Sequence, residues 1–321
     1  MPDGMPLSSI AITTAIQKGL AYLHRLQRPS GEFPTYTSPH INLSGAKTYK
    51  KSVYVTTFVV HALSFLPPNP LIPLLESQAK LFLAQEQERN GAWNYEGRGN
   101  HRIPCDLDDA SCAVAAMLQL GQTPEFSFYA LLWQNEAAPG GPYYTWIGIN
   151  ERADDPRARQ VDALVNANIL FCAGLLNLEL PGASAYLQGV IRQNDYQKAS
   201  WYSVSPYFLI YLISRAYADG DVSSLLPVMP ALHNYILQKL PAPSGKLPAF
   251  ELACLTVSLL NLKADPLLIE ACLPPLLEAQ QAAGNWSAWG ACAGFHPNYD
   301  GSPALTTALA LEALGKYLRR I

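Results

Sequence analysis

The sequence predicts an all-α fold: a single domain over residues 1–321, built as an (α/α)6 toroid of about twelve helices around a central hydrophobic cavity. Three observations carry the prediction. Apolar residues recur at helical spacing along nearly the whole chain, with almost no strand alternation. Gly- and Pro-containing loops separate these segments, and no linker or compositional shift divides them into larger units. Successive segments also alternate in character, one polar-faced and the next apolar nearly all round, as six outer and six inner helices would.

In chain order the periodicity predicts helices over roughly 9–27, 49–66, 71–88, 106–120, 125–136, 158–178, 183–194, 201–218, 223–239, 248–262, 266–282 and 303–319. First members of each pair carry more Gln, Glu, Lys and Arg. Second members such as 56–63, 163–171 and 253–260 are rich in small and apolar residues on every face, which marks them as buried. A recurring closure ends the first members: Gln87-x-x-x-Gly91-Ala92-Trp93 and Gln280-x-x-x-Gly284-Asn285-Trp286. Weaker echoes are Gln27…Gly31-Glu32-Phe33, the Gly140–Trp146 loop and Ser244-Gly245-Lys246-Leu247. Gly supplies the left-handed turn, the aromatic packs over it, and the Gln amide meets free backbone groups at helix ends. Trp93 and Trp286 are therefore structural.

Half of the residues are hydrophobic and 15% are charged, so a large core can form. A net charge of −3 leaves no basic footprint for nucleic acid. The six cysteines show no C-x-x-C and no Cys/His spacing, and read as reduced, buried small hydrophobes. The N-terminal residues lack a signal-peptide pattern, and the longest apolar run, 252–262, is interrupted by Thr256 and Ser258. The expectation is a cytoplasmic protein, greasy enough to touch a membrane peripherally through the Pro-rich apolar stretch Phe65–Leu75. Nothing in the sequence fixes an oligomeric state.

Chemistry concentrates at Asp106-Leu107-Asp108-Asp109, where a polar loop gives way to an apolar run. Three carboxyls crowded at a buried helix start cannot all ionise, so at least one keeps its proton near pH 7. A capping role is the competing reading: Asp106 as N-cap, with Asp108 and Asp109 complementing the helix dipole. Asp162, Asn166 and Asn168 lie on another inner segment. Asn166 and Asn168 cannot both face one way, and either Asn166 or Asp162 is expected to reach the acids or a ligand's polar head, unless these groups only satisfy backbone. His61, His101, His233 and His296 show no ligand spacing and read as surface or loop residues. No metal site is expected. Asp154-Asp155-Pro156-Arg157-Ala158 fails the D-D-x-x-D pattern, Asn194-Asp195 lacks downstream Ser and Glu, and there is no Asp/Cys/His zinc set.

The D-x-D-D tetrad at an inner helix start, together with Gln87–Trp93 and Gln280–Trp286, resembles the class II terpene cyclases. A single barrel of this length is similar to their monodomain meroterpenoid members. The departure is Ala110-Ser111, where the family often has Thr-Ala. The resemblance implies protonation of a terminal alkene or epoxide, with Asp108 as donor and Asp106 and Asp109 orienting it. It implies a prenylated aromatic acid as substrate, geranylgeranyl-dihydroxybenzoate, and no cofactor; Mg²⁺ would enter only with a diphosphate substrate. Carbocations need aromatic faces. Near the inner helix starts these are Trp201 and Tyr299 first, then Tyr54, Tyr202, Trp289 and Phe295. A labdane-type diphosphate cyclase, a toroidal glycoside hydrolase and a lipid-binding toroid are the alternatives.

Overall fold

The computed structural model describes residues 9–100, 102–123, 126–152, 154–239, 247–293 and 298–321. Among them are twelve α-helices: α1 (Ser9–Leu26), α2 (Tyr54–Leu63), α3 (Leu71–Gln85), α4 (Leu107–Gln119), α5 (Phe126–Gln134), α6 (Ala163–Leu175), α7 (Pro181–Gln193), α8 (Pro206–Ala218), α9 (Met229–Lys239), α10 (Ala249–Asn261), α11 (Pro266–Glu278) and α12 (Pro303–Leu318). The even-numbered helices touch in a closed ring, α2 to α4, α6, α8, α10, α12 and back to α2. The odd-numbered helices lie outside it, with α1 on α12, α3 on α2, α5 on α4, α7 on α6 and α11 on α10. A ring of inner helices inside a sleeve of outer ones is the alternation that the sequence predicts.

The inner helices sit there because no face of them suits water. Every residue of α2 is buried, as are Ala163–Ala173 of α6. Each large apolar side chain so placed contributes roughly 1.5–3 kcal/mol relative to exposure. Four inner helices begin with a side-chain cap at the same end of the ring: Asp106 on α4, Asp162 on α6, Ser205 on α8 and Ser302 on α12. The chain enters each from extended backbone. Hence helix begins later than the periodicity implies at 158–162 and 201–205, and residues 49–50 belong to a strand.

The fold is mostly helical rather than all-α. Strands β1 (Thr35–Ser38), β2 (Thr48–Lys50), β3 (Gly290–Ala293) and β4 (Tyr299–Gly301) form one antiparallel sheet in the order β2-β1-β4-β3. Its central pairing sets Tyr36 opposite Gly301, and so joins the two ends of the chain. Strands of three or four residues are too short for alternation to declare them.

The repeated closure acts as a clasp between hairpins. Gln27 Nε2 donates to Gly31 O at 2.9 Å and Leu75 O at 3.1 Å. Gln280 Nε2 donates likewise to Gly284 O and Ala15 O, both at 2.9 Å. Trp93 and Trp286 donate their indole N–H to Leu83 O and Leu276 O. Gly284, at φ +96°, has Lys18 O only 2.4 Å from where a Cβ would stand, so no other residue fits. The echo at Ser244–Leu247 falls on residues 244–246, outside those described. The Gly140–Trp146 loop does something different, because its Trp146 turns toward the capped ends of the inner helices.

Candidate active site

At those capped ends lies a pocket of about 490 Å³. Asp106, Asp108 and Asp109 line it, with Tyr54, Tyr95, Val165, Trp146, Trp201 and Tyr202. The sheet supplies another wall through Lys50, Cys292, Ala293 and Asp300. Cap geometry fixes the acids. Asp106 stands in extended backbone (φ −134°, ψ 163°), where its Oδ1 accepts from Asp109 N at 2.7 Å. Asp108 and Asp109 follow in the first turn. Asp106 and Asp109 are buried, whereas Asp108 keeps surface, and that surface opens to the pocket.

Burial raises all three carboxyls, by different routes. Burial raises Asp106 to about 6, against the backbone N–H of Asp109 that pulls it down, so Asp106 is ionised at neutral pH. Burial and then the charge of Asp106 push Asp108 well above the usual carboxylate range. The same two causes, with Asp108 adding to them, raise Asp109. Among the described residues no N–H or O–H donor reaches either oxygen of Asp109. Its side-chain partner is the Asp106 carboxyl, and two carboxyls can bond only through a proton. Crowding in a buried site therefore favours the protonated forms of Asp108 and Asp109 over three adjacent charges.

Among the described residues Asp108 has one side-chain hydrogen-bond partner. Asn168 Nδ2 donates to its Oδ1 at 2.5 Å and lies 3.5 Å from the Tyr54 hydroxyl. Arg215, on α8, donates through Nη2 to Asn168 Oδ1. Four inner helices, α2, α4, α6 and α8, thus converge on one carboxyl.

Of the other residues expected to bind substrate, Tyr54, Trp201 and Tyr202 line the pocket. Tyr54 is buried; Trp201 stands at the rim, 67% exposed. The Tyr202 hydroxyl donates to Gln160 Oε1 at 2.6 Å and accepts from Trp146 Nε1 at 2.9 Å. Trp289 and Tyr299 do not line the pocket: Trp289 packs on the core beside β3, and Tyr299 lies on β4 with its Cβ over Gly290. Phe295 lies outside the described residues.

Asp162 and Asn166 do not reach the acids. The Asp162 carboxylate accepts from Leu164 N, Val165 N, Trp201 N and Ser200 Oγ, which fills it. Asn166 is bonded on both sides to Tyr143 backbone and on to Asp162 O. Two residues along an α-helix is about 200° of rotation, so Asn168 faces the ring interior and Asn166 the adjoining loop. Asn168 and Arg215, which stand behind Asp108, are the residues that sequence reasoning passed over; Trp146, Tyr95 and Gln160 line the pocket wall. Buried polar side chains on mostly apolar inner helices, Asn168 and Arg215 among them, were the available signal.

One group of described residues brings metal-ligating atoms together: His61, Asp219 and Glu312, at the opposite end of the ring. His61 is buried there, contrary to the surface role expected of it. The Lys316 ammonium already sits among the three, 2.6 Å from Asp219 and 3.2 Å from Glu312. The group is an ion-pair floor.

The inner-helix ring thus presents three acids at the start of α4 to one pocket. No protein-family model and no curated protein matches this sequence. Solved structures match its fold. The apo type II terpene cyclase MstE from Scytonema superposes with a TM-score of 0.76 at 17% identity, over 98% of this chain and 100% of that one. A variant of MstE in complex with geranylgeranyl dihydroxybenzoate, its substrate, gives 0.73 at 17% identity over 98% and 99%. An unsaturated glucuronyl hydrolase specific for heparin also matches, with a TM-score of 0.65 at 13% identity over 98% and 99%. A toroid that serves both proteins does not decide an activity; the site must.

Proposed function

We propose that this protein is a class II terpene cyclase, acting on a prenylated aromatic acid of the geranylgeranyl-dihydroxybenzoate kind to give a fused polycyclic meroterpenoid. The observation that carries the reading is Asp108. It is the most exposed of the three acids that line the pocket, burial and the neighbouring Asp106 push its carboxyl well above the usual range, and aromatic rings share that pocket with it. An alkene is a very weak base, so its donor must be neutral, aimed and away from water. In the first step the terminal π pair takes the Asp108 proton to form a C–H bond. The O–H electrons remain on Asp108 as a carboxylate, and the substrate becomes a carbocation. Ring closures move the charge along the chain past Tyr54, Tyr95, Trp146 and Tyr202, whose faces stabilise cations without quenching them. Loss of a proton from the last cation restores the original mass. Such a cascade asks for no cofactor.

The MstE likeness supports the substrate class, and the wall supports it over a diphosphate. Two cations line the pocket, and both are already matched. Lys50 pairs with Glu96 at 3.3 Å and Asp300 at 2.9 Å, and Arg157 pairs with Asp155 at 2.8 Å. Asp300, the acid that a glycoside hydrolase would need beside Asp108, is held by Lys50 and by Thr37 Oγ1 at 2.5 Å. Among the described residues no helix is long and apolar enough to cross a membrane. Peripheral contact is part of the proposal, since the substrate is a lipid. The Phe65–Leu75 stretch is a poor anchor: Leu66 and Leu75 are buried, and Leu74 is its one exposed large apolar residue. Liposome flotation tests the contact. The activity is tested by incubating the protein with geranylgeranyl-dihydroxybenzoate and analysing the products by mass spectrometry and NMR. A cyclised isomer of unchanged mass is expected; substrate returned intact, with turnover of geranylgeranyl diphosphate or of glycans instead, would overturn the reading.

A further inference from the structure

Arg215 is an expensive residue for a ring interior. Its side chain is buried, its Nε has no hydrogen-bond partner, and no carboxylate pairs with it among the described residues. Instead the guanidinium carbon lies 4.3 Å from the Phe171 ring centroid and 4.7 Å from that of Phe58. A buried cation without an anion is poor material for stability. Its one polar contact among the described residues is Nη2 to Asn168 Oδ1.

That contact removes an ambiguity. An asparagine amide can present either its oxygen or its NH2 to a neighbour, and a protonated carboxyl could accept or donate accordingly. Arginine can only donate. Facing Arg215, Asn168 must turn its oxygen to the guanidinium and therefore its NH2 to Asp108. Asp108 Oδ1 is then an acceptor, so the acid proton resides on the other oxygen, Oδ2. When that proton leaves, the new carboxylate already has a donor on Oδ1, polarised by a cation one amide away.

We propose that Arg215 is a positioning residue: by locking the Asn168 amide it assigns the Asp108 proton to Oδ2 and stabilises the carboxylate left after transfer. The proposal rests on the cyclase reading above and adds to it a residue that need not touch substrate. The test compares wild type, R215M, R215K and N168A, together with the R215M/N168A double variant. Melting temperature serves as the check on folding. R215M should lower kcat about 100-fold with KM within about threefold of wild type, because the Asn168 donor to the developing anion is no longer held in place. R215K, which keeps a cation that can only donate, should recover most of that loss. The double variant should be little worse than N168A, because Arg215 acts through Asn168.

A folded R215M with wild-type kcat, a defect confined to KM, or losses that multiply in the double variant would each overturn the proposal. If R215M does not fold, R215Q takes its place. Its amide can donate or accept, so a partial loss of kcat is expected, and none would count against the lock. An activity-independent arm separates this idea from the cyclase reading. In ¹³C-aspartate-labelled protein, the infrared difference between wild type and D108N locates the Asp108 carboxyl band. R215M should shift that band whatever the substrate proves to be, and an unmoved band would refute the lock even in an active cyclase. A wild type that cyclises nothing while its band still shifts would refute the function and leave the lock standing.

Discussion

The two ends of the inner-helix ring bury carboxyls to the same depth and treat them oppositely. Asp109 at the capped end and Glu312 at the far end are each 1% exposed. Burial pushes both up, yet Asp109 stays well above the usual range, while Lys316 and His61 pull Glu312 below it. Asp219, beside Glu312, is brought down to about 2. The difference lies in the neighbours. At the floor an ammonium sits 2.6 Å from Asp219 and 3.2 Å from Glu312. At the capped end the acids mainly meet one another, and the nearest buried cation is held off by the Asn168 amide. Depth alone therefore does not make an acid; withholding the counter-charge does. One end of the ring is built to hold together and the other to hold protons.

Changes to single residues can break this contrast. The largest effect is expected at Asp108. D108N keeps the shape and the Asn168 neighbourhood but has no acid proton, so cyclisation should fall by about 10⁴-fold with melting temperature preserved. Product formation within tenfold of wild type, measured by mass spectrometry, would take Asp108 out of the chemistry. At the floor, K316M leaves Asp219 and Glu312 without their ammonium. It should cost about 3–5 kcal/mol in urea unfolding. A cost below about 1 kcal/mol would mean that the floor's ion pairs are not what steadies it.

The dependence on pH sharpens the comparison. The acids at the capped end bind protons in the folded protein that the unfolded chain releases near 3.8. Their contribution to stability is whole below that value and is lost as pH rises through about 6, where Asp106 ionises, and beyond. Asp219 runs the other way, contributing above 3.8 and losing its share as pH falls toward about 2. D109N should therefore flatten the alkaline side of the stability curve and gain about 1 kcal/mol or more at pH 8. Wild-type and D109N curves that run parallel from pH 5 to 9 would contradict the assignment. The smallest effect belongs to Trp201 on the rim. W201A should change stability by no more than about 0.5 kcal/mol and raise KM several-fold. An unchanged KM would place the substrate's path elsewhere.

Much of this was legible in the sequence because it is local. Helical periodicity, the Gln-to-Trp clasps and the contiguous acid tetrad each fit within one turn or one hairpin. What escaped is assembled only when the ring closes. The sheet pairs Tyr36 with Gly301, at opposite ends of the chain, through strands too short to show a period. Asn168 and Arg215 are polar residues on mostly apolar helices, and nothing local distinguishes Asn168 from Asn166, two positions away. Tyr299 alternates on β4 with the pocket-lining Asp300, and strands this short give no period from which that facing could be read.

The central claim is that Asp108 delivers its own proton to the substrate, and isotope transfer tests it most directly. Protein equilibrated in D2O and given geranylgeranyl-dihydroxybenzoate should yield a cyclised product. That product should carry one carbon-bound deuterium at the terminus where protonation begins, and D108N should yield none. A cyclised product free of carbon-bound deuterium, or the same labelled product from D108N, would contradict the account.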